Sequence, residues 1–231
     1  LAARHAHHQE WGVSVYPLEA DGPVESSEIE RLRQDFRQGI DARFSHILAG
    51  VDASRPSLVE QVAEACSARG NVTVIRGPSG HGKTALALRY LHDHVAAPLR
   101  FEVRSVSDIA QAQRIAAALA GHARALGLDV WLHLDVQPGD TNWPTLVDRV
   151  ATVKGVQLLI TVREEDWWRT GSVREGILTT EVELSFGRAE AEELFDGLTA
   201  SGGIGLLDFE EAWVRFTAKG GEHPSLLEFV Y

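Results

Sequence analysis

Residues 72 to 90 read VTVIRGPSGHGKTALALRY. Within this stretch Gly77, Gly82, Lys83 and Thr84 fit the pattern G-x-x-x-x-G-K-[ST], a glycine-rich loop that cradles the phosphates of a nucleotide. Four constrained positions match by chance in roughly one per cent of chains of this size, so the flanking sequence has to decide. Val72, Val74 and Ile75 form a β-branched run before the loop, and Ala85-Leu86-Ala87-Leu88 after it favours helix. Strand, loop and helix are the context the motif needs, against the bland alternative of a glycine-rich turn before an ordinary helix. A polyphosphate requires several backbone N–H groups aimed into one concavity, with the positive end of a helix behind them. Gly77, Pro78, Ser79, Gly80, His81, Gly82, Lys83, Thr84 and Ala85 would form that concavity. Gly80 and Gly82 can adopt positive φ and leave no Cβ in the way, while Pro78, lacking an N–H, is tolerable at the mouth. Lys83 would reach the β- and γ-phosphates, and the Thr84 hydroxyl would bind Mg²⁺. One lysine–phosphate pair at about 4 Å is worth roughly 4 kcal/mol at an effective dielectric of 20, before desolvation.

A Mg²⁺-nucleotide also needs an acid at the carboxyl end of a neighbouring strand. VWLHLD, Val130 to Asp135, supplies a hydrophobic run ending on Asp135, whose carboxylate would hold the metal. His133 inside this run reads as a core histidine. A further strand, 156–162, ends in LLITVREEDW and would place Thr161 or Arg163 beside the γ-phosphate, where a guanidinium fork suits phosphoryl oxygens. The competing role for Arg163 is an ion pair with Glu164 or Asp166.

The elements that must position these groups alternate from residue 71 onward. Strands are expected at 72–76, 99–105, 129–135, 156–162 and 181–186, with helices at 83–95, 108–126 (capped by Ser107) and 143–153. One face of 108–126 would carry Ile109, Ala112, Ala116, Leu119, Ala123 and Leu126, with Gly127 ending the helix. Continuous apolar strands imply a parallel sheet covered on both sides, a three-layer doubly wound α/β fold. Upstream, helices are expected from Ser27 to about Arg43 and from Ser57 to Ala68, the second closed by Gly70. Past Arg188 the pattern becomes helical: 188–200, about 208–219, and 224 onward. Three regions follow: 1–44 as linker and helix, 45–187 as nucleotide-binding α/β domain, and 188–231 as the start of a helical lid domain.

Here the sequence resembles the STAND ATPases, phosphate-loop switch proteins that include the NB-ARC and NACHT groups. GPSGHGKTALAL, VWLHLDV, LLITVREEDW, VELSFGRAEAEELF and KGGEHPSLLEFV occur in the order that family shows. The resemblance implies a branch of phosphate-loop ATPases in which the strand after Asp135 lies between the other two site strands. It also implies ATP or ADP with Mg²⁺ as cofactors. Lys83 and Thr84 match Walker A, Asp135 matches the Walker B acid, and Arg163 matches the sensor arginine. Pro224 corresponds to the proline that contacts the adenine, although Gly221 stands three residues before it rather than two. AGVDASRPSLVEQV is similar to the segment that covers the base, with Arg55 at its arginine. One departure is Val136, where many members carry a second acid as base for the attacking water. Asp140, Glu164 and Glu165 are substitutes without the usual spacing, so slow turnover is expected.

Composition narrows the function. Net charge is −11, which disfavours nucleic acid and anionic membrane as partners. Cys66, the single cysteine, excludes an internal disulfide and fits an apolar helix pattern with Leu58 and Val62. His5, His7 and His8 lack metal-ligand partners nearby and read as a solvated stretch. The longest apolar run is too short for a bilayer, and no signal peptide is recognisable, so a cytoplasmic location is expected. The chain contains no methionine and ends inside what reads as an unfinished helix, which suggests a piece of a longer protein. The leading expectation is a nucleotide-gated switch with slow ATP hydrolysis, controlling self-association or other domains of that protein. Alternatives are an AAA+ motor or loader, a small-molecule kinase, and a scaffold that binds nucleotide without hydrolysing it.

Overall fold

The structure, a computed structural model, describes residues 15–18, 24–37, 40–169, 177–185, 187–200 and 207–218. Its elements in chain order are β1 (Val15–Pro17), α1 (Ser26–Arg37), α2 (Phe44–Leu48), α3 (Pro56–Ser67), β2 (Val72–Gly77) and α4 (Lys83–His94). There follow β3 (Arg100–Val103), α5 (Ile109–Leu126), β4 (Val130–Asp135), α6 (Trp143–Ala151) and β5 (Val156–Arg163). The last described elements are α7 (Glu164–Arg169), β6 (Thr179–Glu183), α8 (Arg188–Ala200) and α9 (Phe209–Ala218).

The strands form one sheet in the order β1-β3-β4-β5-β2-β6, parallel throughout except for β1. β5 therefore lies between β2 and β4, as the family resemblance implied. Alternation along each strand divides its side chains between two cores. Val72, Val74, Leu158, Ile160 and Val162 enter a core with Ile115, Leu119, Leu146 and Trp167 from α5, α6 and α7. Ile75 and Leu159 point the other way, into a core with Leu58, Val62, Leu86, Leu88 and Leu91 from α3 and α4. Both faces are covered, which is why these strands read as continuous apolar runs rather than alternating ones.

Two side chains fasten the layers at the edge away from the loop. Arg100 is buried and donates to the carbonyls of Leu18, Leu91, His92 and Val95, with its guanidinium over the Phe44 ring. It thereby supplements the last carbonyls of α4, of which Leu91 O also accepts from the Val95 N–H. Asn71 donates from Nδ2 to Val150, Val153 and Val156, closing the turn between α6 and β5. Beyond the sheet, α8 and α9 enclose a small cluster of Ala191, Phe195 and Ala212, against which Ala53 packs.

Several boundaries differ from the sequence reading. Val15–Pro17 lies in the stretch read as linker, yet pairs antiparallel with β3; three residues are too few to show a period. The helix read to Arg43 ends at Arg37, and a separate short helix starts at Phe44. The first turn of α1 closes on the Glu25 carbonyl, one residue before Ser26. Asp108, not Ser107, caps α5, accepting from the Gln111 N–H at 2.7 Å. Gly127 does end that helix, in the left-handed conformation at φ 66°. Ile109 and Leu126, at the two ends of the expected apolar face, are exposed, and Ile115 is buried instead. A helix of 18 residues spans about 27 Å and overhangs strands of about 20 Å. Ala68 rather than Gly70 caps α3. Cys66 is only partly buried, and burial pushes its thiol above the ordinary value despite hydrogen bonds to Thr73 and Tyr90. His5, His7, His8, Gly221, Pro224 and the helix expected from 224 lie outside the described residues. No helix among the described residues is long and apolar enough to cross a membrane.

Candidate functional site

β2 delivers the loop at the carboxyl edge of the sheet. Its last residue, Gly77, stands in register with Arg163 on β5 and passes so close to the strand exit at Leu184 that a Cβ would lie 2.8 Å from the Leu184 carbonyl oxygen. Only glycine allows that approach. Gly80 and Gly82 take φ of 79° and 74°, the left-handed values the loop was expected to need. Gly82 also serves as N-cap of α4, its carbonyl accepting from Leu86 N–H at 2.9 Å.

Lys83, the first residue of α4, is buried, and its Nζ donates to the carbonyls of Gly77 at 3.0 Å and Pro78 at 2.7 Å. Burial pushes its ammonium below the ordinary lysine value; Asp135 opposes that shift and Arg163 adds to it. A desolvated ammonium beside a second cation is a site whose charge an anion would complete. Thr84 donates from Oγ1 to Asp135 Oδ2 at 3.2 Å. Asp135 receives a second bond, at 2.7 Å, from the Thr161 hydroxyl, which is buried on β5. Arg163, one strand residue beyond the core, lines the same cavity. Glu164 contacts Arg76 at 3.4 Å and Asp166 contacts Arg169 at 3.5 Å, so the acids weighed as partners for Arg163 face other arginines.

The cavity measures about 270 Å³ and is lined by Ser79 to Leu86 together with Asp135, Thr161 and Arg163. The donor set fits a Mg²⁺-phosphate. Two oxygen ligands at about 2.1 Å and at right angles lie about 3 Å apart, close to the 3.2 Å between Thr84 Oγ1 and Asp135 Oδ2. Among the described residues no group of three or more His, Cys, Asp or Glu could hold a metal alone. That suits Mg²⁺, which usually combines one or two protein ligands with water and substrate phosphates.

Arg55 stands at the N-cap of α3, is buried, and donates to the loop carbonyls of His81 at 3.1 Å and Gly82 at 3.4 Å. It contacts the loop backbone as well as lining the cavity. Pro224 cannot be placed, being outside the described residues. Val136 is buried, and its N–H donates to Thr161 O, so it contributes to the core and offers no base. Asp140 does not line the cavity but accepts from Asn142 N–H at 2.8 Å. Glu165 is exposed yet close enough to act on the Lys83 charge.

Sequence reasoning missed the remaining wall. Phe36, Ile40, Val59 and Leu194 give the cavity an apolar side, and Asp52 with Arg89 a polar one. The Arg89 guanidinium grips Asp52, with Nε to Oδ2 at 2.9 Å and a second bond from Nη2 to Oδ1. Gln137, at the mouth, is an amide of the type that can orient water. These residues come from separate helices and three different loops, and no local pattern links them.

No family model matches the chain, and no curated protein matches it. Among solved structures it is similar to a STAND protein with a tetratricopeptide repeat sensor from Pyrococcus horikoshii. The identity is 17% and the TM-score 0.45, over 74% of this chain and 28% of that one. A Walker-type ATPase of Pyrococcus abyssi is 11% identical, with a TM-score of 0.42 over 62% of this chain and 57% of that one. A katanin structure is 14% identical, with a TM-score of 0.47 over 90% and 69%. The chain thus spans less than two thirds of the first two, and at these scores the likenesses say nothing of activity. The internal geometry is sufficient for the fold: five parallel strands with β5 between β2 and β4, and a glycine loop joining β2 to α4, make this a P-loop NTPase fold.

Proposed function

We propose that the chain is a nucleotide-gated switch that binds ATP or ADP with Mg²⁺ and hydrolyses ATP slowly. The observation that carries this reading is the convergence of the Lys83 ammonium, the Thr84 hydroxyl and the Asp135 carboxylate at the mouth of one glycine loop. In this reading the loop amides and Lys83 bind the phosphates, and Thr84 and Asp135 hold the metal. Arg163 distinguishes a γ-phosphate from its absence. A bound Mg²⁺ would neutralise charge on the phosphate oxygens. The response passes to α8, which lies against the segment holding Arg55, and would set activation or self-association of a larger protein. Moving such an equilibrium from 1:99 to 99:1 needs about 5.5 kcal/mol of differential affinity.

Lys83→Ala tests the reading. Its affinity for ATP and ADP is expected to fall at least about tenfold, with the circular dichroism spectrum unchanged. Unchanged affinity in a folded variant would end the proposal. A second reading, a scaffold that binds without hydrolysing, is favoured by the buried Val136 in place of an acid. Single-turnover assays separate the two: ADP formed from enzyme-bound ATP supports the switch, and its absence supports the scaffold.

A further inference from the structure

His133 precedes Asp135 by two residues on β4, so strand alternation puts both on the face shared with Leu159 and α4. It is 1% exposed, in the middle of the sheet. Its Nε2 lies 3.1 Å from Thr161 Oγ1, which lies 2.7 Å from Asp135 Oδ1. Asp135 Oδ2 meets the Thr84 hydroxyl at 3.2 Å. The imidazole, two hydroxyls and the carboxylate form a continuous chain from the core of the sheet to the loop.

Counting protons gives this chain a direction. Thr161 has one hydroxyl hydrogen and three neighbours that could receive it: Asp135 Oδ1 at 2.7 Å, His133 Nε2 at 3.1 Å and the Leu134 carbonyl at 3.5 Å. If it went to either of the last two, two oxygens would face each other at 2.7 Å across Thr161 and Asp135 with no hydrogen between them. The hydrogen therefore goes to the carboxylate, and His133 Nε2 must donate to Thr161. The other ring nitrogen agrees: Nδ1 is buried without a hydrogen-bond partner among the described residues. A proton there would be stranded, which costs more than an unused lone pair. The assignment follows from the network of heavy atoms.

Without the imidazole N–H, the Thr161 hydroxyl could turn to the Leu134 carbonyl, 3.5 Å away, and release the carboxylate. We propose that His133 is a positioning residue which, through Thr161, holds Asp135 in the orientation that presents Oδ2 beside Thr84 for the metal. This rests on the reading of Thr84 and Asp135 as the metal-holding pair. Partners that orient a ligand in this way typically change metal affinity by about 10- to 100-fold when removed.

Two measurements test it. Long-range ¹H–¹⁵N imidazole spectra of the wild-type chain should show His133 protonated on Nε2; a proton on Nδ1 overturns the proposal without any variant. ADP binding is then followed by calorimetry at increasing MgCl₂. His133→Phe and His133→Asn, which cannot donate from the Nε2 position, should raise the half-saturating Mg²⁺ about tenfold. Their affinity for ADP without Mg²⁺ should stay within about twofold of wild type. His133→Gln, whose terminal amide can reach Thr161, should return to within about threefold. In a Thr161→Val background His133→Phe should add nothing, because the route is already cut. Equal shifts in all three His133 variants, no shift in the first two, or additivity with Thr161→Val would each defeat the proposal. If His133→Phe does not fold, the asparagine variant and the tautomer decide. Absence of Mg²⁺-dependent ADP binding in wild type would remove the parent reading and this one together; a normal wild type with unmoved variants removes this one alone.

Discussion

His46 shows how one buried ring ties this molecule to pH. Its Nδ1 accepts the Arg43 N–H at 3.0 Å, and a protonated Nδ1 cannot accept. Burial holds its pKa below the ordinary 6.5, with Asp35 opposing and Arg43 assisting. His81 in the loop is lowered too, first by burial and then by the charges of Lys83 and Arg55. A lowered folded value means the unfolded chain takes the proton first, so this stability is complete above about pH 6.5 and declines as pH falls. Melting temperature should therefore fall as pH drops below about 6.5, and His46→Gln should flatten that slope. Arg163→Ala should weaken ATP about tenfold more than ADP in calorimetry; equal losses would deny it a role at the γ-phosphate. At this scale the loop from Gly77 to Thr84 was legible because positive φ at Gly80 and Gly82 and the close approach at Gly77 call for glycine there. Phe36, Arg89 and Gln137 were not, since aromatic, basic and amide side chains carry no spacing rule of their own. His133 was legible only as a core residue, because its partner sits 28 residues away on another strand.

Among the elements, β2, β4, β5 and α5 could be read from pattern because both faces of the sheet are dry and α5 is long. β1 and α2 could not, being 3 and 5 residues long. Nor could the meeting of α8 with α3, which joins residues 136 apart: Glu193 accepts from the Ser57 N–H at 3.2 Å and from its hydroxyl. Glu193 thus satisfies one N–H in the first turn of α3 from another helix. Beside it, a Cβ on Gly197 would lie 2.9 Å from the Ser54 carbonyl oxygen, so α8 rests on the backbone next to Arg55. Gly197→Ala should push that helix away at a cost of about 1–3 kcal/mol. It should lower the melting temperature and increase amide exchange in residues 53–57. Unchanged exchange there would disconnect α8 from the loop.

For the whole molecule, a net charge of −11 sets a repulsive field toward other polyanions. Added DNA or RNA should leave ATP turnover unaltered and below about one per second; stimulation beyond that would point to a motor instead. The place of β5 between β2 and β4 was implied by the family resemblance, while the edge positions of β1 and β6 had no counterpart in the sequence reading. Where α8 and α9 rest was not legible either, because their apolar cluster is small and closes on Ala53 of a loop. The position of Lys83 has a consequence for ligand choice. Its ammonium carries three N–H bonds, and the Gly77 and Pro78 carbonyls engage it from within the chain. The third N–H is left for an entering oxygen, and a buried ammonium favours one that is anionic and can reach it. A tail of two or three phosphoryl groups would bring anionic oxygens that far in. A nucleoside monophosphate stops short, and the protein should ignore it even where the base and sugar fit.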